Sequence, residues 1–195
     1  AYGDGPTNVR VPRFSLRRNV YPILIPYAFQ TAYQPQEMVR AWSKATRGKL
    51  GLYDYWNITQ WSQGLPQFDI YSLKEKLNFW YKNWVDGLYI ETTDAAGPMG
   101  HAWWLAGQFA FDLSVDFEAA YTQYLTQLFG RAASVLRQLY DRWSQNPQGA
   151  GEVSLSLADL QAAERLVVRN SPDWKRIHEL QAYIHFLRLF DEHDG

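Results

Sequence analysis

Asp54, in the string KLGLYDYWN over residues 49–57, and Glu91, in DGLYIETTD over residues 86–94, each close a short apolar segment containing Gly-Leu-Tyr. Both acids stand among aromatic side chains. A pair of carboxyl groups aimed into one cavity is the equipment of glycoside hydrolysis, in which one protonates the leaving oxygen and the other attacks the anomeric carbon or activates water. Their separation decides between retention and inversion, and spacing along a chain does not supply it. Tyr53, Tyr55, Trp56, Trp61 and Tyr89 are candidates for the walls of a sugar subsite. Aromatic faces pack against apolar ligand surface while Tyr and Trp keep a polar handle for hydroxyls. Successive strand residues point to opposite faces, so Tyr53, Tyr55 and Tyr89 cannot all serve. Tyr27, Asp94 and His101 complete the candidate set. The competing reading gives Asp54 the amides of its own loop and Glu91 an arginine partner.

Positioning these residues requires strands that end at one mouth. VYPILIPY, residues 20–27, reads as a strand despite Pro22 and Pro26. Pro35 then opens a helix through QEMVRAWSKATR, with Met38, Val39 and Trp42 at helical spacing and Gly48 as a stop. A second strand follows over 49–55. Ser72-Leu-Lys-Glu75 reads as a capping box for a helix whose Leu73, Leu77, Trp80 and Trp84 share a face, with Asp86-Gly87 ending it before a strand over 88–91. Strand and helix alternating with short connections predict parallel βαβ units, hence an α/β fold. In such a sheet ligands bind at the carboxyl ends of the strands, where Tyr27, Asp54 and Glu91 fall.

Residues 92–100, TTDAAGPMG, read as an active-site loop or an ordinary βα connection. From His101 onward the pattern is helical: a buried helix in HAWWLAGQFAFDL, an amphipathic one to Phe129-Gly130, and another in RAASVLRQLYDRWS. QNPQGAGEV, 145–153, reads as a linker, Ser156 to Asp159 as a second capping box, and Ser171-Pro172-Asp173 as a further helix start.

Composition narrows the function classes. With 19 basic and 20 acidic residues and no run of either sign, no nucleic-acid footprint is present. The longest apolar stretch, Trp103 to Phe111, is too short for a bilayer and is broken by Gln108, so no membrane partner is expected. The absence of cysteine removes thiol chemistry and leaves localisation open, a secreted or periplasmic setting included. His178, His185 and His193 lack the HExxH spacing, and no metal and no cofactor is assigned. No GxGxxG, GxxxxGK[ST] or GxSxG string occurs. Asn57-Ile58-Thr59 fits the glycosylation tripeptide, a pattern frequent by chance. An aromatic content of 16% exceeds what a core alone explains unless the helical core is rich in tryptophan.

The order KLGLYDYW, WVDGLYIET and GHAWWLAGQFAFDLSVDFEAAYTQYLTQLFGRAASVLRQLY resembles the glycosidase-like family called domain of unknown function 4838 over roughly residues 1–145. Phe111-Asp112, Phe129-Gly130 and Ala132-Ala133 stand at the positions of that family's aromatic-Asp helix end and of its following helix pair. The resemblance implies the C-terminal half of a (β/α)₈ barrel similar to those of α-glucuronidases and hexosaminidases. VYPILIPY, KLGLYDYW and GLYIE would be its sixth to eighth strands, with Tyr2 at the end of a fifth. On that basis residues 1–112 form the barrel half and 113–195 a helical extension. The missing first half of the barrel, with its fourth-strand acid, becomes an expected partner, as does an oligo- or polysaccharide. Glu91 and Asp54 are the expected catalytic residues of a glycoside hydrolase. A non-catalytic glycan-binding module and a helical interaction scaffold are the alternatives.

Overall fold

Three parallel strands in the order β1-β2-β3 form the sheet: β1 Ile23–Leu24, β2 Leu50–Trp56 and β3 Val85–Thr92. The structure is a computed structural model that describes residues 11–25, 34–46, 49–56, 66, 68–92, 96–145 and 150–194. Helix α1, Pro35–Ala45, connects β1 to β2, and α2, Leu73–Lys82, connects β2 to β3. The chain is therefore α/β, with consecutive βαβ connections between parallel neighbours. Pro35 opens α1 where a missing N–H costs nothing, and its Met38 and Val39 are buried.

The remaining elements are helical: α3 Ala96–Phe111, α4 Phe117–Phe129, a 3₁₀ turn Gly130–Ala132, α5 Ala133–Ser144, α6 Ala150–Glu164 and α7 Pro172–Asp194. The chain divides into two compact units, residues 1–58 with 75–92, and residues 59–74 with 93–195. In the second unit the core gathers Leu105, Phe109, Tyr121, Leu136, Tyr140, Trp143, Leu160, Ile177 and Ile184, all fully buried or within 1% of it. Asp116 caps α4 by accepting from the Ala119 amide at 2.8 Å. Gly130, at φ +50°, ends that helix in a conformation only glycine adopts without strain. Ser171 caps α7 as expected, its Oγ accepting from the Trp174 amide.

Several boundaries differ from the sequence reading. The first strand is confined to Ile23–Leu24 within the described part of 20–27, beside Pro22, which cannot donate to a ladder. The third strand starts at Val85, because Trp84, not Gly87, makes the left-handed turn after α2, at φ +65°. Residues 96–100 of the expected loop are the first turns of α3, where Pro98 falls among amides that have no intrahelical partner anyway. Ala150 to Val153 of the expected linker belong to α6, whose Val153, Ser156, Leu160 and Ala163 are buried at helical spacing. Packing of that stripe overrides the weak helix propensity of Gly151. Ser156 is consequently no cap: it sits inside α6 and accepts from the Trp143 indole N–H at 2.9 Å.

Candidate functional site

The strand pair β2–β3 fixes which side chains can meet. Gly51 stands opposite Gly87, Tyr53 opposite Tyr89, Asp54 opposite Ile90 and Tyr55 opposite Glu91. Side chains in register on neighbouring strands leave the same face, and adjacent residues leave opposite faces. Asp54 and Glu91 therefore project from opposite sides of one sheet.

Asp54 lies on the face with Leu50, Leu52 and Trp56, all of them buried. Lys76 of α2 reaches Asp54 there with a 2.7 Å salt bridge, and the Trp56 indole N–H donates to the same carboxylate oxygen at 3.1 Å. The Lys76 ammonium also lies 4.8 Å from the centre of the Trp80 ring. A carboxylate only 8% exposed needs such partners, since an unpaired buried charge is costly. Trp56 is 1% exposed, so its ring has no free surface to stack on a sugar.

Glu91 lies on the other face, and that face is lined with tyrosine. The Tyr53 hydroxyl donates to Glu91 Oε2 at 2.5 Å. Tyr53 and Tyr55 meet edge to face with ring centres 5.3 Å apart, and Tyr89 beside them is 49% exposed. Toward the strand starts, Tyr21 lies across Gly51 and Gly87: a Cβ on Gly87 would come within 2.5 Å of its hydroxyl oxygen. That hydroxyl donates to Asp86 at 2.7 Å, and Asp86 also pairs with Lys49 at 3.4 Å. Burial, and then this hydrogen bond, push the Tyr21 pKa up. From strand start to strand end the face runs from Tyr21 over glycine, through Tyr53 and Tyr89, to Tyr55 and Glu91.

His101 belongs to the second unit. It is 3% exposed in α3, its ring 4.3 Å from that of Tyr140 and 6.1 Å from that of Tyr121. Burial lowers its pKa to about 3, so it is a neutral core residue, not a ligand contact. Tyr27, Trp61 and Asp94, like the Asn57-Ile58-Thr59 tripeptide, lie outside the described residues. Of the candidates, the structure brings together Glu91 and Tyr55 on one face of the sheet and places Asp54 and Trp56 on the other, while His101 is buried in the core of the second unit.

Two contacts go beyond the sequence reading. Lys76 carries no local signal, since it meets Asp54 only through the packing of α2 on the sheet. Tyr53 as the partner of Glu91 does carry one: aligning Gly51-Leu-Tyr with Gly87-Leu-Tyr gives the observed register directly.

Among the described residues no group of three or more His, Asp or Glu is set to hold a metal, and no helix is long and apolar enough to cross a membrane. His178 pairs instead with Glu164 at 2.9 Å. The family model of DUF4838, a domain of unknown function, matches residues 14–141. No curated protein and no solved structure matches the chain. On that match, which covers more than half of the 195 residues, the chain belongs to the DUF4838 family.

Proposed function

We propose, for this member of the DUF4838 family, a carbohydrate-active enzyme of the glycoside hydrolase type, whose sugar site is the tyrosine-lined sheet face bearing Glu91. In this reading β1, β2 and β3 are the last three strands of a (β/α)₈ barrel, and residues 113–195 are a helical extension. The face opposite α2 is then the barrel interior, and the strand ends holding Tyr55 and Glu91 lie at its active mouth.

The observation that carries the proposal is the Tyr53–Glu91 hydrogen bond on a half-exposed face of tyrosines at the carboxyl ends of two parallel strands. Asp54 serves the fold instead, tying α2 to the sheet through Lys76. Asp54 is therefore not the second reactive group that hydrolysis needs.

The test is hydrolysis of 4-nitrophenyl glycosides and polysaccharide digests by the full-length protein and by Glu91→Gln. We expect kcat to fall by about 100-fold or more in the variant. Unchanged turnover would remove Glu91 from the chemistry.

A glycan-binding module without catalysis is the second reading, favoured by the separation of Asp54 from Glu91 onto opposite faces. Under it, oligosaccharide titrations show binding without turnover, and affinity falls with Tyr55→Ala and Tyr89→Ala.

A further inference from the structure

Glycosidases that keep anomeric configuration place a second nucleophilic group within reach of an acid–base carboxylate, and in most that group is another carboxylate. Here the strand neighbour of Glu91's strand offers no such group on the same face, because Asp54 points away and is held by Lys76 and Trp56. What faces Glu91 is the Tyr53 phenol, with its proton directed at Oε2 over 2.5 Å. A hydroxyl is a poor nucleophile until a base takes its proton, and a nucleophile hydrogen-bonded to its base is the arrangement that activation requires.

We propose that Tyr53 is the nucleophile of this site and Glu91 the base that activates it, a deepening that rests on the carbohydrate reading above. Glu91 Oε2 takes the phenol proton while the Tyr53 oxygen forms a bond to the anomeric carbon. The bond from that carbon to the leaving oxygen breaks with its electron pair, and the leaving oxygen takes a proton from water. In the second step water adds to the anomeric carbon and the bond to Tyr53 breaks. The phenolate recovers its proton from Glu91, and the surplus proton of the attacking water neutralises the hydroxide left by the first step. Two displacements at one carbon give net retention. A tyrosine nucleophile is known chemistry among glycosidases, as an exception to the two-carboxylate scheme.

Geometry limits the alternatives. Tyr53 is singled out by the bond its own hydroxyl makes to the carboxylate, and Tyr55, on the same face, packs edge to face on its ring. Tyr21 is taken by Asp86 at the strand starts, at the other end of the face.

The experiment is covalent trapping. Full-length protein is incubated with a panel of 2-deoxy-2-fluoroglycosyl fluorides and with a 2,3-difluoro sugar acid, then digested and mapped by mass spectrometry. The fluorine slows the second step more than the first, and fluoride leaves without needing a proton. We expect a glycosyl adduct on the peptide carrying Tyr53, none in Tyr53→Phe, and a loss of turnover in that variant of about 100-fold or more. An adduct on Glu91, an inverted product by NMR, or full turnover by Tyr53→Phe would each overturn the assignment while leaving the carbohydrate reading in place. A full-length protein that neither hydrolyses a glycoside nor accepts any label would overturn both.

Discussion

Asp54 and Glu91 show how one residue of offset along a strand decides a role. Each acid closes an apolar segment beside tyrosine, but Asp54 pairs across with Ile90 and Glu91 with Tyr55. The alternation of strand side chains does the rest: one carboxylate is shut against Lys76 and the other is presented with Tyr53. The offset was legible, since both strings share Gly-Leu-Tyr and differ in how many residues separate that tripeptide from the acid. His101 makes the opposite point. Its place in an aromatic-rich run suggests function, yet helical packing buries it against Tyr121, Tyr124 and Tyr140. The consequence is a pH dependence. With its pKa lowered to about 3 by burial, His101 stays neutral in the fold while the unfolded chain takes up a proton below about pH 6.5. Its contribution is complete above that pH and is lost as pH falls toward 3, at up to about 1.4 kcal/mol per pH unit. Urea unfolding of His101→Phe between pH 7 and 5 should therefore show a shallower decline than the parent protein; parallel declines would contradict a neutral buried imidazole.

At the scale of elements, the sequence was most informative where periodicity and turn chemistry agreed. Pro35 and Ser171-Pro172 mark true helix starts, and the run of Leu, Tyr and Trp in 133–144 gives the buried stripe of α5. It was least informative where composition pointed one way and packing another. Gly149-Ala-Gly resembles a linker, but the Val153, Ser156, Leu160 and Ala163 stripe carries α6 through Gly151. The α2 to β3 turn is a similar case. Asp86-Gly87 is the stronger turn dipeptide, yet Gly87 is retained for space under Tyr21, and Trp84 adopts the left-handed conformation. A bulky residue there costs about 1–2 kcal/mol. Trp84 is largely exposed, so replacing it forfeits little burial. Trp84→Gly should raise the urea midpoint, with a gain of up to about 1 kcal/mol after the greater flexibility of the unfolded glycine is discounted. A clear loss of stability would show that the indole ring is engaged.

For the whole molecule, the α/β class and the succession of strand-ending acids were readable because βαβ units repeat a simple pattern: apolar run, helix, apolar run. Whether three parallel strands belong to an open sheet or to a closed one is not written in their own residues. A barrel interior and one side of an open sheet place the same demand on a strand, side chains alternating between two covered faces. The tyrosine face over Gly51 and Gly87 is the part of the structure that bears on this question. In the proposed barrel, its small residues at the strand starts would belong to the base and its large polar aromatics at the strand ends to the mouth. The proposed function follows from that face and not from the pair of acids that first suggested it.

The most direct measurement is kcat/KM for glycoside hydrolysis by full-length protein carrying Asp54→Asn beside Glu91→Gln, assayed well below the unfolding temperature of both variants. Asp54→Asn should keep turnover within a few-fold of the parent protein while Glu91→Gln loses it by about 100-fold or more. Loss of turnover in a folded Asp54→Asn variant equal to that in Glu91→Gln would overturn the assignment of Asp54 to the fold, because it would place both carboxylates in one active site.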